Sequence, residues 1–273
     1  MKPEKIKIIL RKIPGYRWGK RIYYFSDRVK RRLINRFHPT ARILLYHRIA
    51  EIKNDPHRLA VSPDNFREQL KYLNANYRIV PLNQLVEERQ SKKIKNGTVV
   101  ITFDDGYADN WHQALPVLKE FNIPATFFIA TETIGQNLFY WDQDNPDAGR
   151  PLNSDELRQL AAETALVEIG SHTLTHPRLS KLSPEEQAKE IFKSKEHLEA
   201  MIKKPVSSFS YPFGDQDSFN QDAMSLVKKA GYCYACANIH ERVRNNSDIF
   251  ALPRYVIRNW NLEKFKKELE NFI

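Results

Sequence analysis

Six short apolar runs recur through residues 41–237, and stretches with helical spacing separate most of them. This alternation constrains the fold more than any other feature of the chain. The runs cover residues 41–46, 98–103, 125–130, 166–170, 206–210 and 232–237. Helical stretches are expected near residues 63–76, 109–121, 154–163, 184–202, 218–230 and 261–272. Ser183, Pro184 and Glu186 make an N-cap, an N1 proline and a capping box, and Gly231 stands where a helix C-terminus wants glycine. Strand and helix in alternation predict a parallel α/β architecture, and six or seven units predict a barrel, complete or distorted.

The 273 residues are 41% apolar, enough for a sizeable core. The net charge of +10 is gathered at one end. Residues 1–42 hold fourteen Lys and Arg against Glu4 and Asp27, a local +12, so residues 43–273 sum to about −2. Charge confined to an arm, not placed around an active site, argues against a nucleic-acid partner. Within the arm, Ile22, Phe25, Val29, Leu33 and Phe37 recur at helical spacing with Arg and Lys between them. That predicts a basic amphipathic helix. Residues 1–40 are therefore set apart as an extension, and residues 41–273 as the main domain. Two readings of the arm stand: peripheral docking on an anionic membrane, or packing against the barrel with a solvated basic face.

Cys233 and Cys236 have C-x-x-C spacing. On a strand, residues three apart face opposite sides, so the pair reads as two structural thiols. No apolar run approaches the ~20 residues that span a bilayer. The N-terminus lacks an apolar core followed by a small-residue cleavage site. A cytoplasmic protein is expected, peripheral to the membrane if the arm docks there. Oligomeric state is not specified.

The residues just past the apolar runs carry the chemistry. His47 comes after the first run and Asp104-Asp105-Gly106 after the second. Ser171-His172-Thr-Leu-Thr-His176 comes after the fourth, and Tyr211-Pro-Phe-Gly214 after the fifth. In α/β barrels the C-terminal strand ends meet at one mouth, where active sites sit. Two histidines four apart suit one zinc ion, and Pro177 turns His176 out of helical geometry into a loop. Adjacent Asp104 and Asp105 cannot point the same way from an extended strand end. One can bind metal while the other faces the substrate; an Asx turn closed by Gly106 is the plainer alternative. A site of two histidines and one carboxylate with open positions can activate water, and its geometry also admits ferrous iron.

Thr102-Phe-Asp-Asp-Gly106, Ala125-Thr-Phe-Phe128, His172-Thr-Leu-Thr-His176 and Tyr211-Pro-Phe-Gly214, in this order and at these separations, resemble the motifs of the NodB-homology polysaccharide deacetylases, carbohydrate esterase family 4. The resemblance covers roughly residues 41–260. It implies a distorted (β/α)7 barrel and metal-dependent hydrolysis of acetamido groups on sugars. It implies Asp104 as general base, and Asp105, His172 and His176 as ligands of a divalent metal, zinc first with cobalt or nickel as alternatives. It puts Phe213 where a backbone N–H meets the oxyanion. Tyr211, in the same motif, is a candidate for substrate contact.

Two departures redirect the expectations. Many members carry an arginine that orients the base where this chain has Ser210, so Arg254 is the candidate replacement. The usual C-terminal acid histidine is also missing. Leu44-Leu-Tyr-His47 instead resembles the subgroup of poly-N-acetylglucosamine deacetylases whose acid histidine is permuted to the N-terminal strand, which makes His47 the candidate acid. Tyr140 and Trp141 either stack on sugar faces or form a satellite core cluster. Trp111 and His112 are expected to begin a helix without a catalytic part. The expected substrate is an N-acetylated carbohydrate in a polysaccharide or glycoconjugate. Removal of formyl or another acyl group from a lipid-linked amino sugar, and a carbohydrate-binding module without catalysis, are the alternatives.

Overall fold

The computed structural model describes residues 39–142, 147 and 149–272. The predicted arm helix, with both readings of its role, lies outside them.

Seven parallel strands form one ring. They are β1 (Thr40–Tyr46), β2 (Thr98–Phe103), β3 (Ala125–Ile129), β4 (Val167–Ser171), β5 (Ser208–Ser210), β6 (Tyr234–Ala237) and β7, which comes in two pieces, Leu252–Pro253 and Tyr255–Val256. Each strand from β1 to β6 pairs in parallel with the next. The first piece of β7 pairs with β6 and the second with β1. Arg254 falls between the two pieces, at the seam that closes the barrel. The expected distorted (β/α)7 barrel is therefore present. Its irregularity lies in this split strand and beside β1 and β2, whose first residues also pair with Val243–Arg244 and Arg78–Ile79 respectively.

The helices are α1 (Pro63–Asn76), α2 (Leu82–Gln90), α3 (Leu115–Phe121), α4 (Ser154–Ala162), α5 (Pro184–Ile202), α6 (Gln221–Lys229) and α7 (Leu262–Asn271). A π-helical turn, Asn110–Ala114, leads into α3 and holds Trp111 and His112. The capping box of Ser183 and Glu186 is formed. Gly231 has φ 82°, and Tyr232 N–H bonds the Val227 carbonyl while Gly231 N–H bonds that of Lys228. That pair of bonds is the Schellman ending of α6. Helix α2 was not anticipated, because among its nine residues only Leu82, Leu85 and Val86 are buried apolar positions. Cys233 is exposed and Cys236 buried, both as free thiols.

Strand alternation sorts side chains into two layers. Leu44, Ile101, Phe103, Phe127 and Phe209 pack outward in one cluster with the helices. Ala41, Ile43, Val100, Phe128, Tyr234 and Cys236 form a second cluster with Leu82, Leu85 and Val86 of α2. Gly170 belongs to the inner alternation: a Cβ there would meet the Phe128 ring at 2.4 Å and Ser208 Oγ at 2.6 Å. On the same count of two, His47 continues the inward set of β1, and Asp104 that of β2.

Candidate metal centre and catalytic cleft

The register decides which groups meet. Tyr46 lies opposite Phe103 in the β1–β2 pair, so His47 and Asp104 leave their strands at one level. Asp104 N–H bonds the Tyr46 carbonyl at 3.1 Å. His172 follows β4 at the same mouth, its N–H on the Ile129 carbonyl at the end of β3. Together with the loops after β5 and β6 these residues line a cavity of about 410 Å³, which contains His47, Asp104, Asp105, His172, His176, Phe213 and Asn238.

Asp105, His172 and His176 are all buried, and one ligand atom from each lies within 4.8 Å of the others. Asp105 Oδ1 is 3.5 Å from His172 Nε2 and 3.4 Å from His176 Nε2. His172 Nδ1 lies 2.8 Å from the Ser210 carbonyl, an acceptor that fixes the proton on Nδ1 and leaves the Nε2 lone pair facing Asp105. Two imidazoles and one carboxylate so arranged fit a divalent cation. The site is also where backbone strain collects. Asp105, Thr173, His176 and Phe213 all have positive φ, between 62° and 73°. Thr173 Oγ1 accepts from His176 N–H at 3.0 Å, and the Glu190 carboxylate on α5 accepts from the N–H groups of Leu174 and Thr175 at 2.9 and 3.0 Å. These bonds hold the histidine loop in its left-handed turns.

Asp104 is held differently. Arg254 donates from Nη1 to Oδ1 at 2.8 Å and from Nη2 to Oδ2 at 2.6 Å, a two-pronged pair with both groups almost wholly buried. Ser210 Oγ donates to Asp104 Oδ2 at 3.2 Å and accepts from Arg254 Nη2 at 2.8 Å. Burial alone would raise the Asp104 carboxyl, but the Arg254 charge outweighs it and the carboxyl lies below its ordinary range. Asn238 extends the network: its Oδ1 accepts from Arg254 Nη2 at 2.8 Å, and its Nδ2 donates to the Phe213 carbonyl at 2.6 Å. Asn238 and Glu190 were not singled out from sequence. Asn238 comes directly after the sixth apolar run, so the strand-end rule applied once more would have found it. No sequence signal marks Glu190.

Burial pushes His47 below its usual value, against the pull of Asp105 and Asp104, and among the described residues its Nδ1 has no partner. His176 is held down at about 4 by burial. His172 moves up, because the Asp104 and Asp105 charges outweigh its burial. Phe213 is 42% exposed, and among the described residues its N–H has no hydrogen-bond partner. Gly214 beside it has φ 68°, and a Cβ would meet the Asn238 nitrogen at 2.6 Å, so the turn needs glycine.

The rim aromatics border the cavity and pack in a local aromatic cluster. Trp141 stacks on Phe139 at 4.6 Å and lies 4.6 Å from the His176 ring, while Tyr140 is 54% exposed and donates to the His176 carbonyl at 3.1 Å. The expectation for Tyr211 is corrected. Its ring is fully buried, stacked on Phe219 at 4.0 Å, with its hydroxyl on the Phe250 carbonyl at 3.0 Å. Ser208 and Ser210 take the inward positions of β5, so Tyr211 points outward into the helix layer and its side chain does not reach the cavity.

A model of the polysaccharide deacetylase family matches residues 91–235, a stretch that includes Asp104, Asp105, His172, His176 and Phe213 but neither His47 nor Arg254. The chain is 30% identical over 231 residues to poly-beta-1,6-N-acetyl-D-glucosamine N-deacetylase of Staphylococcus aureus, covering 81% of this chain and 74% of that one. A solved polysaccharide deacetylase from Bacillus cereus superposes with TM-score 0.70 at 24% identity, over 85% of this chain and 70% of that one. IcaB from Ammonifex degensii gives TM-score 0.68 at 20% identity, over 85% and 97%. The two structural likenesses speak to the fold.

Proposed function

The chain belongs to the polysaccharide deacetylase family, and from that premise we propose that it removes N-acetyl groups from a polymer of N-acetylglucosamine or a related glycoconjugate. The observation that carries the reading is the buried, two-pronged Asp104–Arg254 pair beside the cluster of Asp105, His172 and His176. One carboxylate is tied to a guanidinium and the next faces two imidazoles, which supports a division of labour between base and ligand.

Asp105, His172 and His176 would hold the cation, zinc first for this donor set. When bound, the ion supplies Lewis acidity toward the acetamide carbonyl and toward water. Asp104 takes the proton of the attacking water, and Arg254 keeps it ionised and aimed. The Phe213 N–H, with no protein partner among the described residues, is offered to the carbonyl oxygen as it gains charge. His47, which lines the same cavity, gives a proton to the departing sugar amine. Tyr140 and Trp141 are the aromatic surfaces for the sugar.

Acetate release from oligomers of N-acetylglucosamine, linked β-1,6 and β-1,4, tests the reading. Release is expected to stop with a chelator, return with zinc, and fall about a thousandfold in Asp104→Asn. Undiminished release in that variant would remove Asp104 from the role of base.

A further inference from the structure

A second cavity, of about 250 Å³, adjoins the catalytic one. Arg258 lines both. The second cavity is otherwise walled by Arg58, Lys264, Trp260, Asn259 and Asp55 among others. Three cationic residues thus line one small space, and among the described residues none of them forms a salt bridge. Among the described residues Asp55 is the only acid of the wall. Its carboxylate is engaged by the chain itself, accepting from the N–H groups of Leu59 and Ala60, each at 2.9 Å.

The Arg258 head group is also held in place. Arg258 Nη1 donates to the carbonyls of His57 at 3.0 Å and Arg58 at 2.5 Å, which ties its guanidinium to the segment that carries Arg58. Arg58 itself sits in the left-handed region at φ 55°, a conformation that costs energy for a residue of its kind. Burial, and next the Arg58 charge, push Arg258 below its ordinary value. Asp55 pulls the other way, but one carboxylate against three cationic residues leaves a net positive cavity, and a bound anion relieves that repulsion. Guanidinium groups are the side chains suited to grip phosphate or carboxylate by two parallel bonds.

We propose that this cavity binds an oxyanion carried by the substrate itself, a phosphate or carboxylate group on a unit near the one deacetylated. The inference rests on the deacetylase reading above, and Arg258 is the reason for placing the anion on the same molecule. One arginine borders both spaces, so a chain seated at the catalytic residues has its neighbouring substituents within reach of the second cavity.

The test compares three substrates of equal length on the zinc-loaded protein: a neutral N-acetylglucosamine oligomer, the same oligomer with a 6-phosphate on one unit, and an oligomer alternating with a uronic acid. The wild-type protein is expected to favour an anionic substrate in kcat/KM by about tenfold, the scale of one or two charge-assisted hydrogen bonds. The preferred arm names the source of the oxyanion. The ratio is expected to fall toward one in Arg58→Gln/Lys264→Gln, a pair of surface positions, and to shrink in 0.5 M salt. Equal use of all three substrates, or a preference unchanged in the double variant, would overturn the proposal. If no substrate releases acetate, the deacetylase reading falls, but the site is still decided by titrating N-acetylglucosamine 6-phosphate against the Trp fluorescence of both proteins. Weaker binding in the double variant supports the site, and equal binding removes it.

Discussion

Two carboxyl groups face into this barrel from opposite ends, and they have opposite fates. Asp104, at the C-terminal mouth, meets the Arg254 guanidinium and is held below its ordinary pKa. Glu168, on β4 near the other end, lines a larger cavity of about 610 Å³ but meets only hydroxyls: Ser208 at 2.6 Å, Tyr234 at 2.7 Å and Thr126 at 3.1 Å. Burial raises Glu168, and three neutral donors do not undo it. An inward carboxyl therefore becomes a ready base only where the fold supplies a full counter-charge. Cavity size does not separate the two ends; the charge arrangement does.

Arg254→Met breaks the comparison most severely, by turning Asp104 into a second Glu168. Removing one partner of a buried ion pair costs about 3–5 kcal/mol, since the other charge stays buried. Chelator-treated protein isolates the effect. In the wild type, Asp104 lies below its unfolded pKa, so its contribution to stability is full above that unfolded value and is lost as pH falls through the folded one. In Arg254→Met burial acts on Asp104 without the guanidinium, and the slope contributed by Asp104 reverses: stability falls as pH rises. Denaturant melts from pH 3 to 7 read this sign. A parallel shift of both proteins with pH would mean that Arg254 does not set the charge of Asp104.

His47 sharpens the same end of the barrel. It faces the two carboxylates with no partner on Nδ1 among the described residues, which suits a group that passes its proton on. His47→Gln is expected to lower kcat about a hundredfold, roughly 2.7 kcal/mol, with KM little changed. A proton donor is lost as pH rises through its pKa, so the alkaline fall of the wild-type rate should disappear in the variant. An aryl acetate, whose leaving group departs without a proton, should be nearly insensitive to the substitution. An equal loss on both substrates would make His47 a packing residue.

Much of the candidate site could be read from strand ends, because a barrel converts sequence position after a strand into position at one face. Asp104, Asp105, His172 and His176 stand out for that reason. Arg254 was reached only as a missing charge; the split of β7 that turns it inward depends on pairing with both β6 and β1, which no local pattern encodes. Tyr211 was misread although the alternation of Ser208, Phe209 and Ser210 already pointed it outward. Asn238 and Glu190 hold loops by bonds across long separations, and α2 hid behind its polar composition. The shared cation of the two cavities, Arg258, was not foreseen for the same reason: its partners His57 and Arg58 lie about 200 residues away in the chain.

The mildest perturbation tests the inert end. Glu168→Gln removes the ionisable proton but keeps the shape, and rearranges the hydroxyl bonds at a cost within about 1 kcal/mol. Activity should be retained, because no residue assigned to the reaction touches Glu168. The informative quantity is the stability difference between variant and wild type across pH. A carboxyl raised by folding binds its proton more tightly in the folded state, so wild-type stability declines as pH rises from its unfolded pKa through its folded one. The glutamine variant lacks that decline. Its melting temperature relative to the wild type should therefore climb between pH 4 and pH 8, whatever the offset at pH 4. A flat difference would mean that the three hydroxyls fully offset the burial of the Glu168 carboxylate, and that a counter-charge is not needed to undo burial.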